Sequence, residues 1–412
     1  MKIAFIISNL YGGGAERAEI NIMNAISEKH DVTAICYRNC DPDRNYPLAP
    51  GVRLVYLKPR YPVESHLAVL DWFARLEQIR HLRKRERFDA VVSFLDGANA
   101  YNIMTARDGK TVISIRNLIS KSGRHRTSKD ISPEHALVDS VARRFQNRAD
   151  AIICVSEDVA QDQIIHFHAA AGKVSVIHNF VDPAMVQSMA QEENRDPAFL
   201  GFVESHDILF GNCGRLVFQK GQWHLLKAFS QVVKEYPHAG LFIIGEGKLE
   251  PYLKEMISGY GLSEHVMLCG YQTNPIKYMK YADWLVHSAL YEGMSNTVLE
   301  AMALGLPVIC TDCAGTRELL TPERQYGQAV ETLLMGDYGI ITRLEPDRED
   351  LQSPTVTEGE EYLSAAMRQA IDNPALRLKY SKASLERVKE FSREEKISEW
   401  EQMISELVNG AK

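Results

Sequence analysis

The chain is 412 residues long, 45% hydrophobic and 25% charged, proportions of a soluble globular protein that exclude collagen-like, coiled-coil and disordered classes. Forty-seven basic against fifty-four acidic side chains give a net charge of −7, which excludes a uniform nucleic-acid coat protein. The charge is uneven: 25 basic and 21 acidic residues lie up to position 190, and 22 against 33 lie beyond it. Along the chain, the first apolar run is Ile3-Ala4-Phe5-Ile6-Ile7. It is shorter than the ~7–15 residues of a secretory signal. No stretch reaches the ~18 consecutive apolar residues of a membrane span. The expected location is cytoplasmic.

Short β-branched runs then alternate with helical patterns. Strands are predicted at Lys2–Ile7, Val32–Tyr37, Val52–Leu57, Asp89–Leu95, Thr111–Ile115, Ala151–Val155 and Val174–His178. Gly12-Gly13-Gly14 joins the first strand to an amphipathic helix at Glu16–Lys29, and glycines there either let backbone N–H groups approach a phosphate or sugar or simply make a tight turn. Asp41-Pro42-Asp43 has the spacing of a metal-holding pair, but its Pro- and Asn-rich surroundings favour a solvated turn. Leu67–Phe88 reads as one helix whose end carries Arg75, Arg80, Arg83, Lys84, Arg85 and Arg87 against Glu77 and Glu86, and Lys121–Arg148 adds seven basic against three acidic residues. These patches read either as solvated faces or as attachment to an anionic membrane that carries a lipid-linked acceptor. Nucleic acid is disfavoured, because no stacking aromatics interleave the charges.

Residues 186–206 are polar and read as a linker. A second series follows: Ile208–Cys213, Leu241–Ile244, Val266–Cys269, Trp284–His287, Pro307–Cys310 and Gly339–Ile341, with helices at Trp223–Tyr236, Asn296–Leu304 and Glu358–Ile371. Strands apolar on both faces that alternate with helices predict two doubly wound parallel domains, 1–185 and 207–392, facing a central cleft. Gly245-Glu246-Gly247-Lys248 lacks the spacing of a triphosphate loop. Seven cysteines scattered in apolar runs behave as packing residues, and Cys310–Cys313 has no second pair with which to complete a zinc site. The thirteen histidines show no ligand spacing; His166 and His168, two apart, cannot share a helix face.

Three segments carry chemistry. Arg215 and Lys220, five apart in a glycine-flanked loop after a strand, suit a diphosphate: one offers a planar fork and the other a point charge. Glu292-Gly293-Met294-Ser295-Asn296-Thr297-Val298-Leu299-Glu300 leads into a helix. Ser295 or Asn296 caps it, and the two carboxylates can accept paired bonds from vicinal sugar hydroxyls. The third segment is a strand and glycine turn from Gly305 to Glu318.

Arg215…Lys220, Glu292…Glu300 with seven residues between, and the Gly305–Glu318 run together resemble the retaining glycosyltransferases of family 4, of GT-B fold. The resemblance covers essentially the whole chain, including the glycine loop (Gly13, Gly14), Ile177–Asp182 and the closing helices. It implies a nucleotide diphosphate sugar, a UDP-sugar above all, as donor, and a glycan or lipid-linked oligosaccharide of bacterial surface polysaccharide as acceptor. It implies that Arg215 and Lys220 neutralise the diphosphate, Glu292 meets the donor sugar and Glu300 the ribose. Ser295, Asn296 and Thr297 would meet phosphate and sugar, and Gly270 and Tyr271 would line the base. It further implies transfer with retention and without a metal or other cofactor, and a last helix (393–412) that crosses back to the first domain. Where family members often carry a histidine, this chain has Arg116-Asn117, placed on the acceptor side. Two rival readings are a nucleotide-sugar epimerase of the same fold and a non-catalytic sugar-nucleotide or glycan-binding protein. The first lacks identifiable acid–base residues, and the intact charged set argues against the second.

Overall fold

The computed structural model describes residues 1–11, 13–38, 45–58, 68–122, 133–324, 326–344 and 355–410. Asp41 and Asp43, Gly12 and part of the second basic patch (123–132) lie outside the described residues. The chain divides into two compact units, Met1–Asn179 with Glu394–Lys412, and Phe180–Arg393. Each is built on a seven-stranded sheet.

The first sheet contains β1 (Lys2–Ile7), β2 (Asp31–Cys36), β3 (Val52–Tyr56), β4 (Ala90–Phe94), β5 (Lys110–Ile115), β6 (Ala151–Cys154) and β7 (Val174–Val176). Their spatial order is 3-2-1-4-5-6-7, and every pairing is parallel. The second contains β8 (Ile208–Cys213), β9 (Ala239–Ile244), β10 (Val266–Leu268), β11 (Trp284–His287), β12 (Val308–Thr311), β13 (Leu333–Met335) and β14 (Ile340–Thr342). Its order is 10-9-8-11-12-14-13, parallel except for β13 against β14. The predicted doubly wound domains are therefore present. Strand order reverses beside β1 in one sheet and beside β8 in the other, so ligand crevices open at the carboxyl ends of β1/β4 and of β8/β11. Central strands such as β4 and β9 are buried along their whole length, which is why they read as continuous apolar runs.

The stretch expected as a linker is helical at both ends. Asp182 accepts from Met185 N at 3.0 Å, and Pro183 opens the helix Pro183–Gln191. Asp196 accepts from Ala198 N and Phe199 N, and Pro197 opens the helix Pro197–Glu204. Asp-Pro here is a cap followed by a first-turn proline rather than a break. Fully buried Phe199 packs on Phe242, Tyr278 and Tyr281 and fixes this segment to the second unit.

In the first unit, helix Ala68–Glu86 holds much of the expected basic face, and the structure corrects its reading. Arg75 is buried and paired with Asp71. Arg83 is buried too, and donates to Asn102 and to Thr111 Oγ1. Arg85 shares Glu86 with Arg53. Lys84 and Arg87 remain exposed. The last helix, Arg393–Asn409, belongs to the first unit through Trp400, which stacks on Phe94 with ring centroids 5.6 Å apart.

Candidate functional site

The loops that follow β8 and β11 are laced together. Ser288 Oγ donates to Lys220 O at 2.9 Å, Leu290 N to Gln219 O at 2.9 Å, and Gln219 Nε2 to Tyr291 O at 3.0 Å. Gly221 has φ +60°, and a Cβ there would lie 2.3 Å from Ser288 O, so no other residue lets the loops approach this closely. Gly315 does the same at φ +69° against Gly293 O, 1.9 Å from where its Cβ would be. Buried Asp312 holds that turn by accepting from Arg317 Nε at 2.6 Å and Val330 N at 2.7 Å. The Gly245–Lys248 loop, which is no triphosphate loop, serves as a brace. Leu216 N donates to Glu246 O at 2.9 Å, and Gly245 N to Gly270 O at 2.8 Å, which steadies the loop that carries Arg215.

This framework sets Lys220 Nζ against Glu292 Oε1 in a close ion pair across the β8/β11 switch point. The same carboxylate oxygen lies 4.0 Å from His287 Nε2. Burial would raise the Glu292 pKa, but Lys220, His287 and Arg215 outweigh it and hold the carboxyl below its ordinary value. His287, at the end of β11, is 2% exposed. Burial and the Lys220 charge depress its pKa to about 3, so it is neutral at physiological pH. Arg215 is exposed, with Nη2 3.5 Å from Gln219 Oε1.

Ser295 caps the helix Asn296–Ala303, its hydroxyl accepting from Val298 N at 3.4 Å. Asn296, Thr297 and Glu300 are half-buried on its first two turns. Gly270, at φ +65°, faces open space, and Tyr271 beside it is 62% exposed. The second unit thus places Arg215, Lys220, Glu292, Ser295, Gly270 and Tyr271 on loops after the carboxyl ends of its strands, and Asn296, Thr297 and Glu300 on the first two turns of the helix that follows β11. It offers fixed positive charge, a helix N-terminus, carboxylates and an exposed aromatic face.

Gly13 and Gly14 belong to the first unit, where Gly13 N donates to Glu16 Oε2 at 3.1 Å. Arg116 follows β5, is buried, hydrogen-bonds Asn179 Oδ1 and lies over the Phe94 ring at 5.2 Å. Asn117 Oδ1 accepts from Leu118 N at 2.9 Å and shapes the turn. Glu19, buried with Oε1 making no hydrogen bond among the described residues, carries a carboxyl well above its ordinary pKa, chiefly through burial and then Glu16, with Arg116 opposing. Sequence reasoning missed Glu19 and His287, because no local pattern marks them and only the topology brings them to their charged neighbours. Cys310 and Cys313 are buried and free, and burial pushes the Cys313 thiol up to about 12, in keeping with packing residues. Among the described residues no group of three or more His, Cys, Asp or Glu side chains is arranged to hold a metal ion.

A family model for glycosyltransferase family 4 matches residues 12–185, and one for glycosyl transferases group 1 matches residues 199–330. An uncharacterized glycosyltransferase of Methanocaldococcus jannaschii is 37% identical over 264 residues, which span 63% of this chain and 64% of that protein's length. The N-acetylgalactosamine-N,N'-diacetylbacillosaminyl-diphospho-undecaprenol 4-alpha-N-acetylgalactosaminyltransferase of Campylobacter jejuni is 26% identical, over 84% of this chain and 91% of its own. Anabaena HepE, solved in complex with UDP, shares the fold with a TM-score of 0.69 at 18% identity, over 98% of this chain and 100% of that one.

Proposed function

This chain belongs to the glycosyltransferases of group 1 and family 4 type, with the GT-B fold, and from that premise we propose that it moves a hexose or N-acetylhexosamine from a UDP-sugar to a glycan or lipid-linked oligosaccharide, with retention and without a metal, in bacterial surface polysaccharide synthesis. The observation that carries the reading is the Lys220–Glu292 pair at the β8/β11 switch point, with Arg215 on the same loop as Lys220. Lys220, Arg215 and the N-terminus of the Asn296–Ala303 helix supply the positive potential that a leaving diphosphate needs. Glu292 and Glu300 accept from sugar and ribose hydroxyls. The bond from the anomeric carbon to phosphate breaks as the bond to the acceptor oxygen forms on the same face. The departing phosphate oxygen takes the acceptor's proton, so positioning and charge replace a dedicated base. The acceptor class is supported by relatives whose names specify undecaprenol-linked substrates. Work on such substrates implies a cytoplasmic enzyme at the inner face of the membrane.

The test is release of UDP from UDP-glucose, UDP-galactose, UDP-N-acetylglucosamine and UDP-N-acetylgalactosamine, with and without EDTA. Turnover with at least one donor, unaffected by EDTA, is expected. Lys220→Ala should lower it on the order of 10²–10³-fold, with the folded state retained by circular dichroism. Undiminished turnover in that variant overturns the phosphate assignment.

A further inference from the structure

The site holds one group that the mechanism above does not use. His287 ends the central strand β11, is buried, and its Nε2 makes no hydrogen bond among the described residues. A buried imidazole nitrogen without a partner is costly, and so calls for an explanation. Glu292 Oε1, the oxygen that Lys220 already holds, lies 4.0 Å from it. One carboxylate oxygen therefore has an ammonium in contact and an imidazole standing off. The other groups that face this carboxyl are Arg215, on the loop after β8, and Cys313, after β12.

We propose that His287 is a positioning residue for the donor sugar: when a diphosphate draws Lys220 away, His287 takes over Glu292 Oε1 and turns the carboxylate toward the sugar hydroxyls. The inference rests on the donor site described above. A phosphate oxygen carries as much charge as the carboxylate and makes equally short charge-assisted bonds, so it competes directly for Lys220 Nζ. Glu292 would then be a buried carboxylate without its closest cation. A shift of about 1 Å closes the gap between His287 Nε2 and Oε1 to hydrogen-bond length. A neutral imidazole with its proton on Nε2 is the donor such a carboxylate needs, and it leaves the second oxygen free for the ligand. The resting Lys220–Glu292 pair is thus a placeholder for the ligand, and the imidazole is the second partner between which Glu292 exchanges.

The idea separates sugar from nucleotide, because UDP engages Lys220 but has no sugar for Glu292 to hold. Calorimetric titration with UDP, and with whichever of the four UDP-sugars the wild type hydrolyses fastest, is the experiment. His287→Leu should weaken the UDP-sugar about tenfold and leave UDP within about twofold, since a hydrogen bond to a charged group is at stake. His287→Gln, whose amide can donate, should recover part of the loss. In a Glu292→Gln background, His287→Leu should cost little more. Equal weakening of UDP and UDP-sugar, or no change in either, overturns the role of His287 while leaving the donor site intact. A wild type that binds none of the four donors overturns the donor site itself, and the inference with it.

Discussion

Two buried carboxyls, Glu292 on the loop after β11 and Glu19 on the helix Gly14–Ile26 after β1, are sent in opposite directions by their neighbours. At Glu292, Lys220 in contact, His287 and exposed Arg215 overcome burial, and the carboxyl is held ionised. At Glu19, burial and Glu16 prevail over Arg116, and the acid is held neutral well beyond its ordinary range. The consequences for stability differ in sign. A depressed carboxyl stabilises the fold above its unfolded pKa and loses that contribution as pH falls through its folded one. Glu19 is the reverse: the fold binds its proton more tightly than the unfolded chain, so stability is lost as pH rises from the unfolded value near ~4.3 toward the raised one. Glu19→Gln removes that loss. It should raise the melting temperature more at pH 8 than at pH 4, read by thermal unfolding at both; an equal shift at the two values would mean Glu19 is ionised in the fold. At this scale the sequence marks Arg215, Lys220 and Glu292 as candidates, because each sits in a glycine-marked loop at fixed spacing, and Glu300 because it follows Glu292 at that spacing on the helix Asn296–Ala303. His287 and Glu19 are not marked, since a histidine ending an apolar strand and a glutamate on a helix look ordinary until the sheet order sets them beside a charge.

Among the elements, the buried parallel strands were legible to within a residue or two, since both faces are apolar. The helix Leu95–Met104 was not, because Gly97, Asn99 and Asn102 in its sequence argue for a loop. The fold overrides that propensity by burying the polar groups where the strands supply partners. Asn102 Nδ2 donates to Val91 O and Val112 O at 3.0 Å each, and Ser93 Oγ donates to Asn99 Oδ1 at 2.8 Å. Strand β13 was missed because it is a three-residue, half-exposed edge. A similar polar staple joins Gln222–Glu235 to Glu358–Asp372 in the second unit. Glu360, fully buried, accepts from His224 Nδ1 at 2.6 Å and from Thr357 N at 2.9 Å, with Lys227 Nζ at 3.7 Å. Removing one partner of a buried ion cluster leaves the others uncompensated. Glu360→Ala should therefore cost about 3–5 kcal/mol in urea unfolding, with Glu360→Gln milder because its amide oxygen still caps Thr357 N. A cost within error of zero would show that Lys227 finds water instead.

For the molecule as a whole, the charge asymmetry of the sequence is smaller than a single cut suggests. With the last helix returned to its own unit, Met1–Asn179 plus Glu394–Lys412 carry 27 basic against 25 acidic residues, and Phe180–Arg393 carry 20 against 29. The returning helix brings acid with it, and Glu401 meets Lys29 at 2.8 Å and His30 at 3.8 Å. A net +2 does not by itself draw a protein to a bilayer. What counts is exposed, clustered charge, about 1 kcal/mol for each Lys or Arg near an anionic surface. Arg75 and Arg83 are inside the unit, Arg80 is paired with Glu77 and donates to Met104 O, and Arg85 is paired, so on the Ala68–Glu86 helix the attraction falls to Lys84, with Arg87 just beyond. Leu70 and Phe73, 47% and 55% exposed toward the start of the same helix, add an apolar contact. Peripheral attachment through this helix is therefore expected to be weak, salt-sensitive and partly hydrophobic. Sedimentation with phosphatidylglycerol vesicles at low salt should carry down a fraction of the protein that about 0.5 M salt releases. The double substitution Lys84→Glu, Arg87→Glu should lower that fraction. Equal binding to neutral phosphatidylcholine vesicles would assign the contact to Leu70 and Phe73 alone, and no binding at low salt would remove the membrane from the proposed function.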